Sequence, residues 1–313
     1  MSRIVAAVSA VLFAAVPALA AYPDRPVKLI VPWAAGGDTD VIYRAFQPHL
    51  QKHLGNTVVI ANVGGASGTK GAKEAKDAPA DGYTIFAVHD SIHSTYFTGV
   101  ADVSWTDFQP ICLVSATPSI VTASPKVAWT DMKALVADAK ARPGQISVGA
   151  TLGSTSHFFP ALVEKAAGVK FKYVSYEGTA PRMNALLGGH IDMGESNLTQ
   201  KGKVDAGQLK FLAIATDKRS PELPNLPTLK ELGIDVTYAV NRGLLASKGT
   251  PADVMAKLVS ACAAAAKEGA FAEAMKTQGT LVNYLAPREY TDFLKASDTI
   301  NRDLARDLGM LKR

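Results

Sequence analysis

Three short Gly-bearing turns, two of them rich in Gly, Ser and Thr, have the residue types needed to bind an anion. They span residues 32–40, 151–157 and 176–181, and each lies between a β-rich run and the start of a helix. Backbone N–H groups at a helix N-terminus are free, and the helix dipole is positive there, so such turns bind anions. In open α/β sheets, ligands gather at the carboxyl ends of the strands, where these turns must lie. The sequence therefore predicts an anion-binding cleft.

Two arginines, Arg182 and Arg242, have the chemistry to hold a carboxylate near these turns. Arg182 comes directly after the third turn, and Arg242 lies further along the chain. A guanidinium binds a carboxylate through two parallel hydrogen bonds, so an arginine beside a cleft is its natural partner. The alternative, two solvated surface arginines, stays open at this point because charged side chains are mostly exposed.

Two other pairs of residues suggest catalysis instead. Ser154 and His157 place a hydroxyl near an imidazole, and His89 and His93 have the i, i+4 spacing with which helical histidines bind zinc. The simpler interpretation of both segments is a helix cap followed by a packed histidine. No G-x-S-x-G, P-loop or G-x-G-x-x-G pattern occurs in the sequence. An exported hydrolase or zinc-dependent enzyme is therefore the alternative, and we expect no catalytic residue, metal or cofactor.

These residues must be positioned by strands that alternate with helices. Apolar β-rich runs at 27–31 and 58–60 are each followed by a Gly-bearing turn and a helix, predicted at 40–53 and 69–76. Further strands are predicted at 83–88, 111–115, 119–123, 146–149, 171–174, 190–193 and 209–216, with helices at 129–141, 158–167 and 181–187. This alternation predicts mostly parallel sheets with helices on both faces. Beyond residue 250 we expect an Ala-rich helix to 276, a strand at 280–285 and a helix at 287–308.

The N-terminus has the pattern of a secretory signal peptide. Arg3 precedes an apolar run from Ile4 to Val16, which is followed by the A-x-A pattern of Ala18 and Ala20. The run is shorter than the roughly 20 residues that a membrane-spanning helix needs. We therefore expect export to the periplasm, cleavage near Ala20 or Ala21, and a soluble mature protein.

Composition narrows the class of protein further. Apolar residues make up 48% of the chain and charged residues 19%, which is typical of a well-buried globular protein, and the length suits two lobes. The net charge of +5 favours an anionic ligand, but the basic residues are scattered, so nucleic-acid binding is not expected. The two cysteines, Cys112 and Cys262, lie in apolar surroundings, which favours two buried free thiols.

An ordered series of motifs resembles the tripartite tricarboxylate transporter substrate-binding (Bug-type) receptors. The opening motif is PVKLIVPWAAGGDTD at 26–40, and the resemblance covers essentially the whole mature chain. The other motifs are NVGGASG at 62–68, ADGYT at 80–84, LGSTSH at 152–157, YEGTAP at 176–181, LLGGHID at 186–192, PNLPT at 224–228 and ELG at 231–233. The ordered set of motifs is much more specific for this family than any single motif.

The resemblance implies a two-lobed type II periplasmic-binding-protein (Venus flytrap) fold, each lobe a mostly parallel sheet flanked by helices. After a signal peptide at 1–21, lobe one would comprise 22–123 and 243–313, and lobe two 124–242. Such receptors are similar in taking small carboxylates between the lobes. The resemblance thus implies a monomeric receptor for a small carboxylate, either a dicarboxylate or an aromatic carboxylate, that delivers its ligand to membrane permease subunits.

Carried over by position, the resemblance also implies which residues line the cleft. One wall would hold Trp33, Ala34, Ala35, Ala66 and Ser91, and the other Thr151, Ser154, Thr155, His157, Tyr176 and Gly178. Two departures from the family pattern add Arg242, where an aromatic residue is more common, and Glu195, in a stretch that is usually more apolar. An inward Arg242 or Arg182 would bind the ligand by a charge pair, and an inward Glu195 would disfavour a second carboxylate nearby.

Overall fold

The computed structural model describes residues 22–313, so the predicted signal peptide lies outside the described part of the chain. The strands are β1 (Val27–Val31), β2 (Val58–Asn62), β3 (Thr84–His89), β4 (Phe108–Pro118), β5 (Ile120–Ala123), β6 (Ser147–Ala150), β7 (Lys172–Ser175), β8 (Met193–Ser196), β9 (Lys210–Ile214), β10 (Ala239–Ser247) and β11 (Leu281–Leu285). The helices are α1 (Asp38–Leu54), α2 (Thr69–Asp77), α3 (Ser91–Phe97), α4 (Met132–Ala141), α5 (Thr155–Ala167), α6 (Thr179–Gly188), α7 (Lys201–Asp205), α8 (Ala252–Ala266), α9 (Gly269–Thr277) and α10 (Pro287–Asp307).

Two separate sheets divide these elements into two lobes. The first sheet has six strands in the order β11-β4-β10-β3-β1-β2, and the second has five in the order β7-β6-β8-β5-β9. Helices α1 and α8 cover one face of the first sheet, while α2 and α10 cover the other. The predicted two-lobed α/β fold is confirmed.

Both sheets are mixed rather than mostly parallel. In the first sheet β1 pairs in parallel with β2 and β3, but β10 runs antiparallel to β3 and β4. In the second, β6 pairs in parallel with β7 and β8, and β5 is antiparallel to β8 and β9. The antiparallel strands are those nearest the interlobe crossings, because one crossing leaves the first sheet from β4 and the other returns to it through β10.

The crossings lie side by side at Ser119 and Tyr238. The Ser119 N–H donates to the Tyr238 carbonyl at 3.0 Å, and the Tyr238 N–H donates to the Ala215 carbonyl at 2.9 Å. Residues 120–123 therefore pair within the second sheet and residues 239–242 within the first, whereas the sequence-based boundaries placed the crossings near Ala123 and Arg242.

Among the elements that differ from the sequence-based expectation, two do so for identifiable reasons. Strand β10 was not predicted, because Asn241, Arg242 and Gly243 interrupt its apolar run. The single Ala-rich helix is instead α8 and α9, separated at Glu268. The Glu268 carboxylate is held by His49 and His53 of α1, each at 2.6 Å, so the chain is anchored there between the two helices.

The two cysteines form a disulfide, which corrects the expectation of free thiols. Cys112 in β4 and Cys262 in α8 are joined with a Cα–Cα distance of 6.7 Å. Their separation of 150 residues hid the pairing from the sequence, because only the packing of α8 on the first sheet brings them together. Within residues 22–313, no helix has both the length and the apolar composition to cross a membrane.

Candidate ligand-binding cleft

A narrow cavity of about 30 Å³ lies between the two lobes. The first lobe contributes Trp33, Gly37, Asp38, Thr39, His89, Val240 and Arg242, and the second contributes Thr151, Ser154, Thr155, Ser156, Gly178, Thr179, Arg182 and Glu195.

Three helices begin at this cavity, as the three Gly/Ser/Thr-rich turns predicted. Their N-cap residues are Gly37 for α1, Ser154 for α5 and Gly178 for α6, and none of the three caps its helix with a side-chain hydrogen bond. Glycine fits at Gly178 because φ is +94° there. The helix starts thus direct uncapped N–H groups and positive dipole ends towards one space, which favours an anion.

Arg242 is a buried cation that faces the cavity, with a residue exposure of 3%. A register shift between Arg242 and Gly243 interrupts the β10–β4 ladder at this point. The guanidinium donates to the Thr39 hydroxyl at 3.1 Å and to the Thr117 hydroxyl at 2.7 Å. No carboxylate oxygen of residues 22–313 lies within 4.0 Å of the Arg242 guanidinium, which is the limit for an ion pair. Burial lowers the pKa of Arg242, and the Asp38 carboxylate opposes that shift.

Arg182 also faces the cavity, but a protein carboxylate already satisfies it. Its Nη2 lies 2.8 Å from Glu195 Oε2, and both residues are at least 95% buried. Arg182 also donates to the Glu195 carbonyl, and the Ser119 hydroxyl donates to Glu195 Oε1 at 3.1 Å. Burial raises the pKa of Glu195 to about 6, although the Arg182 charge opposes this shift.

Asp38 is the charged residue at the cavity that the sequence-based site missed; the other missed residues are Gly37, Thr39, His89, Ser156, Thr179 and Val240. It is 6% exposed, and its carboxylate accepts hydrogen bonds from Thr179 at 3.1 Å and Thr199 at 3.2 Å, both from the second lobe. No cationic side chain among the described residues lies within ion-pair distance of it. The signal in the sequence that could have found it is an acidic residue inside the predicted anion-binding turn at 32–40.

Trp33 and His89 form a flat wall on the side of the first lobe. Their rings stack with centroids 4.9 Å apart and an interplanar angle of 17°. His89 Nδ1 accepts a hydrogen bond from the Ser91 N–H at 3.1 Å, and burial together with the Arg242 charge lowers the pKa of His89 well below its usual value. His89 is therefore neutral at pH 7 and adds no charge to the site.

The fourteen residues predicted to line the cleft separate into two groups. Those at the cavity are Trp33, Thr151, Ser154, Thr155, Gly178, Arg182, Glu195 and Arg242. Ala34, Ala35 and Ala66 are instead exposed, and Ser91 lies beside a smaller neighbouring cavity. His157 packs edge-on against Tyr173, and Tyr176 packs in a small apolar cluster of the second lobe. For all fourteen residues, a role in ligand binding stays a prediction.

Neither catalytic arrangement is assembled. Ser154 Oγ donates to the Thr151 carbonyl at 2.8 Å, while His157 Nδ1 accepts from the Gly153 N–H at 3.2 Å, so the two side chains serve different partners. His89 ends β3, whereas His93 lies in α3 and contacts Asp298 at 3.0 Å, so they are not on one helix. In the described part of the chain, no group of three or more His, Cys, Asp or Glu side chains could hold a metal ion.

Hydrogen bonds and an apolar cluster join the two lobes. The Ser67 N–H donates to Glu177 Oε2 at 2.9 Å, and the Ser67 hydroxyl donates to the Leu152 carbonyl at 3.0 Å. A small apolar cluster joins Phe97 of α3 and Ala305 of α10 to Phe158 of α5. The structure is therefore a closed arrangement of the two lobes.

Two α/β lobes joined by adjacent crossings and closed over a polar cavity define a solute-binding protein. Residues 42–309 match the model of the tripartite tricarboxylate transporter family receptor. Protein BugT of Bordetella pertussis is 30% identical over 315 residues, which cover 96% of this chain and 95% of BugT. The chain belongs to the tripartite tricarboxylate transporter receptor family.

Solved structures agree with this family assignment. The periplasmic binding protein BugD superposes with a TM-score of 0.88 at 33% identity, over 93% of this chain and 100% of that one. The structure of Rpa4515 from R. palustris with adipate has a TM-score of 0.87 at 29% identity, over 92% of this chain and 98% of that one.

Proposed function

We propose that this protein is a periplasmic receptor that closes its lobes around one small organic carboxylate and delivers it, unchanged, to membrane permease subunits. The observation that carries the proposal is Arg242, a buried guanidinium that faces the cavity without a protein carboxylate. A buried charge without an ion-pair partner in contact is costly, and a ligand carboxylate would supply that partner.

The surroundings of Arg242 support a ligand that carries an anionic group. Three helix N-termini meet at the same cavity, and hydroxyls of Thr151, Ser154 and Thr155 line it. The related Rpa4515 structure contains adipate, a carboxylate. The signal-peptide pattern of residues 1–21 supports export, with cleavage near Ala20 or Ala21, and we propose a monomer.

The test is a thermal-shift screen of the purified, ligand-free protein, followed by calorimetry on each hit. The panel contains mono-, di-, aromatic, hydroxy- and amino-carboxylates. We expect one ligand per chain and a rise in melting temperature for the carboxylate that binds, because a ligand that binds only the folded state stabilises it. If no carboxylate of the panel shifts the melting temperature, the proposal is wrong.

The Arg242→Gln variant tests the residue that carries the proposal. Hydrogen bonds to charged groups contribute about 1.5–3 kcal/mol, so we expect Kd for the bound carboxylate to rise by about 10- to 100-fold. The matched control is Arg142→Gln, because Arg142 lies on the surface at the C-terminal end of α4 and pairs with Asp138 of that helix. The control should bind as the wild type does. Recovery of chemically unchanged ligand, checked by NMR, separates a receptor from a hydrolase.

A further inference from the structure

The charges around the cavity are balanced, which limits the ligand that it can take. Four charged side chains line the cavity, and all are at least 94% buried: Asp38, Glu195, Arg182 and Arg242. Arg182 and Glu195 pair with each other at 2.8 Å. Asp38 and Arg242 remain as one buried anion and one buried cation. Neither has an oppositely charged side chain of residues 22–313 within 4.0 Å.

Asp38 changes what the first helix start can bind. A carboxylate in the first turn of a helix offsets the positive end of the helix dipole. The N-terminus of α1 therefore already faces an acid of its own, whereas the starts of α5 and α6 have no acidic residue in their first turns. A second ligand carboxylate placed beside Asp38 would be repelled by a buried like charge, which would weaken its binding.

A ligand with one anionic and one cationic group matches this arrangement. Resting on the proposed function, we propose that the ligand is a zwitterion, an α-amino acid, whose carboxylate pairs with Arg242 and whose ammonium group pairs with Asp38. Each buried charge then gains a partner on binding, and the complex stays neutral. The sequence suggested a dicarboxylate or an aromatic carboxylate as the ligand. The charges at the cavity favour instead a carboxylate that also has an amino group.

Matched ligand series test the ammonium group alone. Three series share a carbon skeleton and differ at C2: alanine, lactate and propionate; aspartate, malate and succinate; phenylalanine, phenyllactate and phenylpropionate. In whichever series binds, we expect the amine to bind at least about 10-fold more tightly than the hydroxyl compound, because only the amine gives Asp38 a charged partner. The unsubstituted acid should bind most weakly. Calorimetry measures Kd for each member.

The Asp38→Asn variant separates charge from shape. It keeps the size of the side chain and a hydrogen-bonding group, so the amine preference should fall by at least about 10-fold while the unsubstituted acid binds as well as or better than before. The control is Thr199→Val, which removes one interlobe hydrogen bond to Asp38 but keeps its charge. That variant should weaken all ligands alike and leave the amine preference intact.

The outcomes distinguish this inference from the proposed function. If a carboxylate binds and its C2-amino counterpart binds no more tightly, the inference is wrong while the receptor function stands. The inference is also wrong if Asp38→Asn weakens all ligands equally. If no carboxylate binds, with or without an amine, both proposals fail.

Discussion

Glu195 shows how the charges at the cavity affect the stability of the protein. Its carboxylate is buried against Arg182 and Ser119, and the charges of Asp38 and Arg242 also act on it. Burial dominates these effects and raises the pKa of Glu195 from 4.5 to about 6. The folded protein thus holds this proton more tightly than the unfolded chain does.

The sign of the resulting pH dependence follows from linkage. The stability that protonated Glu195 contributes is present below about pH 4.5 and is lost as the pH rises through about 6, in total roughly 2 kcal/mol. We therefore expect Glu195→Gln to flatten the fall in unfolding free energy across this pH range. Urea denaturation of wild type and variant at a series of pH values measures the difference.

The control for this prediction is Glu273→Gln, because Glu273 is an exposed glutamate on α9. The unfolding free energy of the Glu273→Gln variant should change with pH in parallel to that of the wild type. Parallel curves for Glu195→Gln as well would contradict the prediction.

At the scale of elements, the first lobe depends on a link between β4 and α8. The chain leaves this lobe after β4 and returns through β10, so the second lobe lies within the 150-residue segment between Cys112 and Cys262. The disulfide closes this long loop and fixes α8 on the first sheet, next to α1.

Removal of the disulfide should lower the stability of the protein. Closing a loop of 150 residues stabilises the folded state by about 5 kcal/mol in the chain-entropy model. We expect Cys112→Ala/Cys262→Ala to unfold at a lower urea concentration than the oxidised wild type. The double substitution also removes two sulfur atoms, so the control is the wild-type protein unfolded in the presence of dithiothreitol. Its urea midpoint should fall by most of the same amount. An unchanged midpoint after reduction would contradict the prediction.

At the scale of the whole molecule, the proposed function implies that ligand binding is coupled to closure of the two lobes. Gly153 in the second lobe approaches Thr98 and Val100 of the first so closely that a Cβ atom would lie 2.7 Å from the Thr98 hydroxyl oxygen. This approach exists only when the lobes are closed. A methyl group at this position therefore acts as a wedge between the lobes.

The Gly153→Ala variant tests this coupling. A wedge that costs about 1.4 kcal/mol or more in the closed state raises ligand Kd by about 10-fold or more. Small-angle scattering should then show a smaller ligand-induced decrease in the radius of gyration. The control is Gly168→Ala, which has a similar positive φ of +63° but no atom within 4 Å of the added Cβ. Both variants place an alanine at positive φ, which costs about 1–2 kcal/mol in each, so only the wedge distinguishes them. Equal affinities for the two variants would show that closure does not require this contact.

The sequence by itself determined most of the local elements and three candidate anion-binding turns. The apolar run of β1 and the turn before α1 follow from residues that are neighbours in the chain, and the starts of α5 and α6 are predicted in the same way. Local propensity and hydrophobic periodicity are properties of short segments, so these features were predictable. The same local signals placed three helix starts where an anion could bind.

Only the tertiary structure decided which charges face one another. Arg242 contacts Thr39 and Thr117, and Asp38 contacts Thr199, across sequence separations of 203, 125 and 161 residues. The direction of Arg242 depends on its place in β10, a strand whose sequence does not have a strand pattern, and on the register shift beside it. Such contacts depend on how the lobes pack and close, and no short segment of sequence contains that information.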